Sequence, residues 1–193
     1  MAIFGGTFNP VHWGHLCVAE MARDQFLLEQ VLWVPAAHPP HKGLAPVAFE
    51  HRLEMVRRAI ADQPAFVVTD IDQQQTGKSY AIGTLENLQL LYPQTRWYWI
   101  LGADALPSLP RWYRVEELAH HCTWLIAPRP HLTENSSISL PAHIPWRWEK
   151  LEMPGIEVSS SLVRNRLRQG RSIRYLVPEA VRLYIEMQEL YTK

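Results

Sequence analysis

Two imidazoles three residues apart close the segment Gly5-Gly-Thr-Phe-Asn-Pro-Val-His-Trp-Gly-His15, which follows a short apolar run and leads into a helical one. Glycines in such a loop let a ligand approach backbone NH groups, and the start of a helix favours an anion. Phosphate is the ligand that suits both. His12 and His15 can each donate a hydrogen bond to a phosphate oxygen, and a protonated ring adds charge. The loop matches neither GxGxxG nor a Walker A pattern. His38-Pro-Pro-His41 repeats the spacing, but no cysteine ligands accompany these histidines and HExxH is missing, so metal ligation by them is disfavoured.

Ser159-Ser-Ser-Leu-Val-Arg164 is the second constellation. It opens a stretch in which Arg164, Arg166, Arg168, Arg171 and Arg174 have no acidic residue among them. Serine hydroxyls and NH groups at a helix start, with an arginine one turn in, form a phosphate clamp. Most of these arginines read as a solvated face; Arg164 is the exception. Asp72-Gln-Gln-Gln-Thr-Gly-Lys-Ser79 imitates a Walker A, yet a carboxylate stands where that pattern needs glycine, and it would crowd the loop and repel phosphate. Trp112-Tyr113 follows Gly102-Ala-Asp104 at a strand exit. Ligands of open α/β sheets bind there, so Trp112 is placed to stack on a planar ring and Asp104 to accept a ribose hydroxyl.

The elements that must carry these residues alternate between strand-length apolar runs and amphipathic stretches, the pattern of βαβ units and a parallel sheet. Strands are predicted at Ala2 to Phe4, Val31 to Val34, Phe66 to Thr69, Trp97 to Leu101 and Trp124 to Ala127. Leu16, Ala19, Ala22 and Phe26 mark one helical face; Phe49, Leu53, Val56 and Ile60 mark another. Asp72 to Lys78 reads as loop, with Ser79 the expected cap of a helix through Leu91. The Pro-rich His38 to Pro46 and the stretch Arg129 to Pro145 read as irregular. Ser159 onward predicts a helix to Gln169 stopped by Gly170, then a helix with Pro178 in its first turn and Val181, Tyr184 and Met187 on one face.

Composition bounds the function. At 193 residues the chain reads as a single domain over 1–193, with its helical C-terminal part at about 159–193. Lys plus Arg and Asp plus Glu are 19 each, so the basic excess usual for a nucleic-acid partner is lacking. The two cysteines, Cys17 and Cys122, are too few for a disulfide framework and suit a reducing, cytoplasmic compartment. Neither an export signal nor a membrane span is visible, so no membrane partner is expected.

Together the two phosphate motifs resemble the HxGH nucleotidyltransferase superfamily, here as His12-Trp-Gly-His15 and Ser159-Ser-Ser-Leu-Val-Arg164. Adding Pro39-Pro-His-Lys42, Ser79-Tyr-Ala-Ile-Gly-Thr-Leu85, Gly102-Ala-Asp104, Trp112-Tyr113 and Tyr175-Leu-Val-Pro178, the chain is similar, in order and over nearly its whole length, to the bacterial nicotinate-nucleotide adenylyltransferases. The first motif is highly specific; the others matter by coinciding. The resemblance implies an α/β, Rossmann-like domain with a parallel sheet flanked by helices. It implies transfer of AMP from ATP, with Mg2+, to nicotinate mononucleotide, giving deamido-NAD and pyrophosphate. His12, His15 and Arg164 would be catalytic; Gly5, Gly6, Thr7, Phe8, Gly102, Asp104, Ser160 and Ser161 would bind ATP. Asn9, Lys42, Tyr80, Ala81, Thr84, Trp112 and Tyr113 would bind the mononucleotide. No protein-held metal is implied.

Two departures stand out. No Arg occurs between Asp72 and Gln75, where the family often has one, and Ala81 replaces a Thr. Backbone NH groups at Ala81 and Tyr113 then remain as donors for a nicotinate carboxylate. Rival readings are nicotinamide-mononucleotide, phosphopantetheine and cytidylyl transferases, which share both phosphate motifs, and a non-catalytic nucleotide-sensing module. The Gly-Gly-Thr-Phe-Asn-Pro start and Trp112 disfavour the phosphopantetheine and cytidylyl enzymes. Retention of His15 and Arg164 disfavours the sensing module.

Overall fold

The strand runs are apolar on both faces because both faces of the sheet are covered. In the computed structural model, which describes residues 1–38, 47–75, 77–128 and 144–192, they form β1 (Ala2–Gly6), β2 (Val31–Pro35), β3 (Phe66–Val68), β4 (Trp97–Gly102), β5 (Cys122–Ala127) and β6 (Trp148–Lys150). These strands make one sheet in the order β3-β2-β1-β4-β5-β6. Every pairing is parallel. This is the doubly wound order, with the switch point between β1 and β4, where ligands of such sheets bind at the carboxyl ends of the strands.

Side-chain alternation along the strands divides the core in two. One layer takes Ala2, Phe4, Val31, Trp33, Ile100 and Leu125 and is covered by α1 (Trp13–Gln25), α2 (Phe49–Ala59), α5 (Ser160–Arg168) and α6 (Glu179–Met187). The other takes Ile3, Leu32, Trp97, Trp99, Trp124 and Ile126 and is covered by α3 (Ala81–Leu91), α4 (Val115–His121) and a 3-10 segment at Ala103–Arg111. Each large apolar side chain buried in this way contributes roughly 1.5–3 kcal/mol. Both cysteines are unpaired, and Cys122 donates its thiol hydrogen to the Leu118 carbonyl at 3.0 Å. Among the described residues no helix is long and apolar enough to cross a membrane.

Several elements differ from the sequence expectation. Asp72 to Lys78 is not all loop: Ile71–Gln74 form a 3-10 turn that buries Asp72. Ser79 does not cap α3. Its hydroxyl accepts the His38 backbone NH at 2.7 Å, and Tyr80 takes the cap position. Of the face expected for α2, Phe49, Val56 and Ile60 are buried, but Leu53 is only half-buried and Arg52, Met55 and Ala59 pack inward beside them, bringing an arginine inside. On α6, Val181, Tyr184 and Ile185 are buried, but Met187, the last residue of the helix, is 63% exposed. α4 and β6 were not expected, because α4 is only seven residues long and β6 is an exposed three-residue edge strand. Most of Arg129 to Pro145 lies outside the described residues.

The helix start at Ser159 is as the sequence predicts. Its Oγ accepts the Leu162 NH at 3.2 Å, and Gly170 sits in the left-handed region with φ 65° beyond the helix end. Ser159→Ala is expected to cost about 1 kcal/mol, the usual worth of an N-cap. A lower urea midpoint with an unchanged slope would record it.

Candidate active site

Two cavities open at the carboxyl edge of the sheet. The first, about 600 Å3, is lined by His12, Gly14, His15, Gly102, Asp104, Ser159, Ser160, Ser161 and Arg164. The second, about 610 Å3, is lined by Lys78, Tyr80, Ala81, Thr84, Arg111, Trp112 and Tyr113. Gly5, Gly6 and Thr7, at the end of β1, line both and form the floor where the two meet.

His12 is the N-cap of α1 and His15 lies in its first turn, so the Trp-Gly between them sets the rings side by side, 3.6 Å apart and stacked. The His12 backbone NH donates to His15 Nδ1 at 3.2 Å, which leaves Nε2 of His15 carrying the ring proton of the neutral form. Gly14 permits a close approach: a Cβ there would stand 3.0 Å from the His12 ring and 3.3 Å from the Val158 carbonyl, tight enough to press on the ring. Phe8 has φ 46°, a conformation that costs a bulky residue of order 1–3 kcal/mol. Its ring is held in place by burial against Phe4, Trp33 and His15. The loop is thus anchored by an aromatic side chain that itself faces the core.

On the opposite wall, Arg164 Nη1 donates to the Asn9 carbonyl at 2.7 Å and Nη2 to Ser161 Oγ at 3.2 Å. Ser160 Oγ donates to the Pro10 carbonyl at 2.8 Å, so this hydroxyl ties α5 to the loop, while Ser161 keeps its own proton for a ligand. Of the arginine-rich stretch, only Arg164 lines the cavity. Arg166 bonds the Ser172 carbonyl, Arg168 bonds Asn165, and Arg174 lies 3.7 Å from Glu179.

Helix dipoles reinforce the phosphate chemistry. The first turns of α1, α3 and α5, whose residues line the cavities, contain no acidic residue. The helices whose first turns line neither cavity do: Glu50 on α2, Glu116 and Glu117 on α4, Glu179 on α6. An acid in the first turn would neutralise the positive end that an anionic ligand uses.

In the second cavity Trp112 stands edge-on to Trp99 and Trp124, and Tyr113 lies ring against ring with Tyr80 at 4.7 Å. Ala81 is the first residue of α3, where backbone NH groups have no intrahelical acceptor. Thr84 is buried and donates its hydroxyl proton to Asp72 at 3.0 Å, so it supports the wall through that carboxylate. Asn9, expected at the mononucleotide, lines the first cavity instead. Lys42 lies outside the described residues. Sequence reasoning passed over Lys78 and Arg111 of the second cavity, and also Asp72, which accepts the Ala37 NH at 2.7 Å and Gln75 Nε2 at 2.8 Å. A lone carboxylate in a polar run carries no signal that it is buried.

Among the described residues no cluster of three or more His, Cys, Asp or Glu could hold a metal ion, and Asp104 is the single described carboxylate lining the first cavity. This donor set fits an ion that travels with a polyphosphate, since Mg2+ keeps water and phosphate oxygens as most of its ligands.

A paired-imidazole loop facing a serine–arginine helix start, beside a second aromatic cavity, defines a nucleotidyltransferase. The cytidylyltransferase-like family matches residues 3–166. Over all of this chain and 97% of its own length, a protein of Trichormus variabilis described as "probable nicotinate-nucleotide adenylyltransferase" is 48% identical. A Desulfitobacterium hafniense protein of the same description is 40% identical over 99% of this chain and 95% of its own. The chain belongs to the nicotinate-nucleotide adenylyltransferases of the cytidylyltransferase-like family. The nicotinic acid mononucleotide adenylyltransferase of Plasmodium falciparum, solved with APC, shares the fold at TM-score 0.79 and 20% identity, over 98% of this chain and 96% of that one.

Removing Arg164 is expected to raise the KM for ATP by about ten- to a hundredfold, the usual worth of a charge-assisted hydrogen bond. Arg168→Ala should change it less than about twofold, as surface substitutions do. Steady-state kinetics with varied ATP would compare them.

Proposed function

We propose that this chain transfers AMP from ATP to nicotinate mononucleotide, with the triphosphate in the first cavity and the mononucleotide in the second. The observation that carries this reading is the shared floor at Gly5, Gly6 and Thr7, which brings a phosphate site and an aromatic site to one point. The activity itself is that of the family, and the residue roles are our assignment.

The nucleophile is a phosphate oxygen of the mononucleotide, already largely deprotonated at pH 7 because a phosphate monoester has its second pKa near ~6. No general base is needed. That oxygen forms a bond to the α-phosphorus of ATP while the bond to the β-phosphate oxygen breaks, and pyrophosphate leaves with the electron pair. Catalysis is therefore alignment and charge neutralisation. His12 and His15 donate to the phosphates from the α1 side. Arg164, Ser161 and the first NH groups of α5 meet the outer phosphates from the other, with Ser160 holding the wall together. Gly102 and Asp104 receive the adenosine ribose. Mg2+ held by the triphosphate oxygens as part of the substrate would supply charge neutralisation there. Trp112 stacks on the pyridine ring beside Tyr80 and Tyr113, and Lys42 adds positive charge. The unpaired cysteines and the charged, phosphorylated substrates suit a cytoplasmic enzyme.

The nicotinate carboxylate meets NH donors at Ala81, in the acid-free first turn of α3, and at Tyr113, between the 3-10 segment and α4. A carboxamide would turn its NH2 toward one of those donors and leave it unpaired, at ~1–3 kcal/mol. Nicotinate mononucleotide is expected to exceed the amide in kcat/KM by at least about tenfold. Trp112→Ala should weaken both together, because stacking does not distinguish acid from amide. Parity between the two mononucleotides, or preference for the amide, would contradict the substrate assignment while leaving adenylyl transfer in place.

A further inference from the structure

The turn Thr7 to Pro10 is gripped from beneath by Arg52 and Tyr191, neither of which lines a cavity. Arg52, 1% exposed, donates through Nη1 to the Thr7 carbonyl at 2.9 Å and to the Ala36 carbonyl at 2.7 Å. Asn9, 4% exposed, has both ends engaged. Its carbonyl accepts Arg164, and its side-chain Oδ1 accepts the Tyr191 hydroxyl at 2.5 Å. Tyr191 follows α6, 182 residues along the chain from Asn9, and is 9% exposed.

This contact is unusual in placement. A buried hydroxyl from beyond the last helix reaches the residue whose backbone positions the phosphate-binding arginine. Burial pushes the Tyr191 hydroxyl well above its ordinary value, so it remains a donor, and the Arg164 and Arg52 guanidiniums both lie within electrostatic reach of it. Asn9 cannot move toward the cavity without breaking that bond, and Arg164 loses its anchor if Asn9 moves.

We propose that Tyr191 is a positioning residue for adenylyl transfer, acting through Asn9 to hold Arg164 against the ATP phosphates. The inference rests on the reading of the first cavity as the triphosphate site. Tyr191 touches no substrate; what it sets is the register of the arginine.

The test is a double-mutant cycle with Tyr191→Phe and Arg164→Ala, read as kcat/KM for ATP and, separately, KM for nicotinate mononucleotide. Alone, Tyr191→Phe is expected to lower kcat/KM for ATP about five- to tenfold, as loss of a partner to a buried acceptor does, and to leave the mononucleotide KM unchanged. In the Arg164→Ala background the same change should have no further effect, because the group it positions is gone. A merely structural tyrosine would give the same factor in both backgrounds, and that result overturns the proposal. No effect of Arg164→Ala on ATP would instead overturn the triphosphate assignment and this inference with it. Tyr184→Phe, which removes another hydroxyl bonded at 2.9 Å to His51, serves as the control and should leave ATP kinetics as they are. Should Tyr191→Phe fail to fold, Asn9→Ala breaks the same contact from the other side and must show the same dependence on Arg164.

Discussion

Mutual repulsion of two phosphate-bearing substrates is the constraint around which this protein is arranged. Like charges 4 Å apart at a protein surface cost about 4 kcal/mol per pair, and several such pairs arise when a mononucleotide phosphate approaches a triphosphate. A chain with 19 basic and 19 acidic residues has no global field to oppose this. The compensation is local. A parallel sheet wound on both sides starts its helices at the carboxyl edge, so their positive ends converge where the substrates meet. The acids that decorate α2, α4 and α6 are missing from the first turns of α1, α3 and α5.

Such a site must be stiff without filling itself with counter-charges. The solution is a set of buried polar struts behind the walls. Asp72 joins the exit of β2 at Ala37 to the first turn of α3 through Thr84. Arg52 joins the exits of β1 and β2 through Thr7 and Ala36. Tyr191 and Arg164 hold Asn9 from two directions. Each strut satisfies backbone carbonyls or amides that the loops would otherwise leave unpaired in the interior, where an orphaned group costs about 1–3 kcal/mol. The ligand-facing groups are then mostly donors, which is what two polyanions require.

What was legible in the sequence follows from how local each signal is. The strand runs, the α1 and α5 starts, and the pairing of His12 with His15 depend on spacing within a few residues. For that reason the residues chosen for phosphate contact come together around one cavity. Trp112, Tyr113, Tyr80 and Ala81 likewise meet in a second, although they come from two segments. The struts were not legible. Arg52 sits in an amphipathic stretch where periodicity favours Leu53 as the inward residue, and its burial follows from three carbonyls, two of which, Thr7 and Ala36, come from distant chain segments. Tyr191 and Asp72 are polar residues whose backbone-positioning partners, Asn9 and Ala37, lie far away in sequence. Ser79, which fits the pattern of a helix cap, is diverted because His38 competes for its hydroxyl.

The most direct measurement is a crystal structure of the protein with a non-hydrolysable ATP analogue, Mg2+ and nicotinate mononucleotide bound together. The triphosphate is expected between His15 and Arg164, the pyridine ring on Trp112, and the mononucleotide phosphate above Gly5 to Thr7 in line with the α-phosphorus. A triphosphate seated beside Trp112, or substrates whose phosphates do not meet over that floor, would contradict this arrangement.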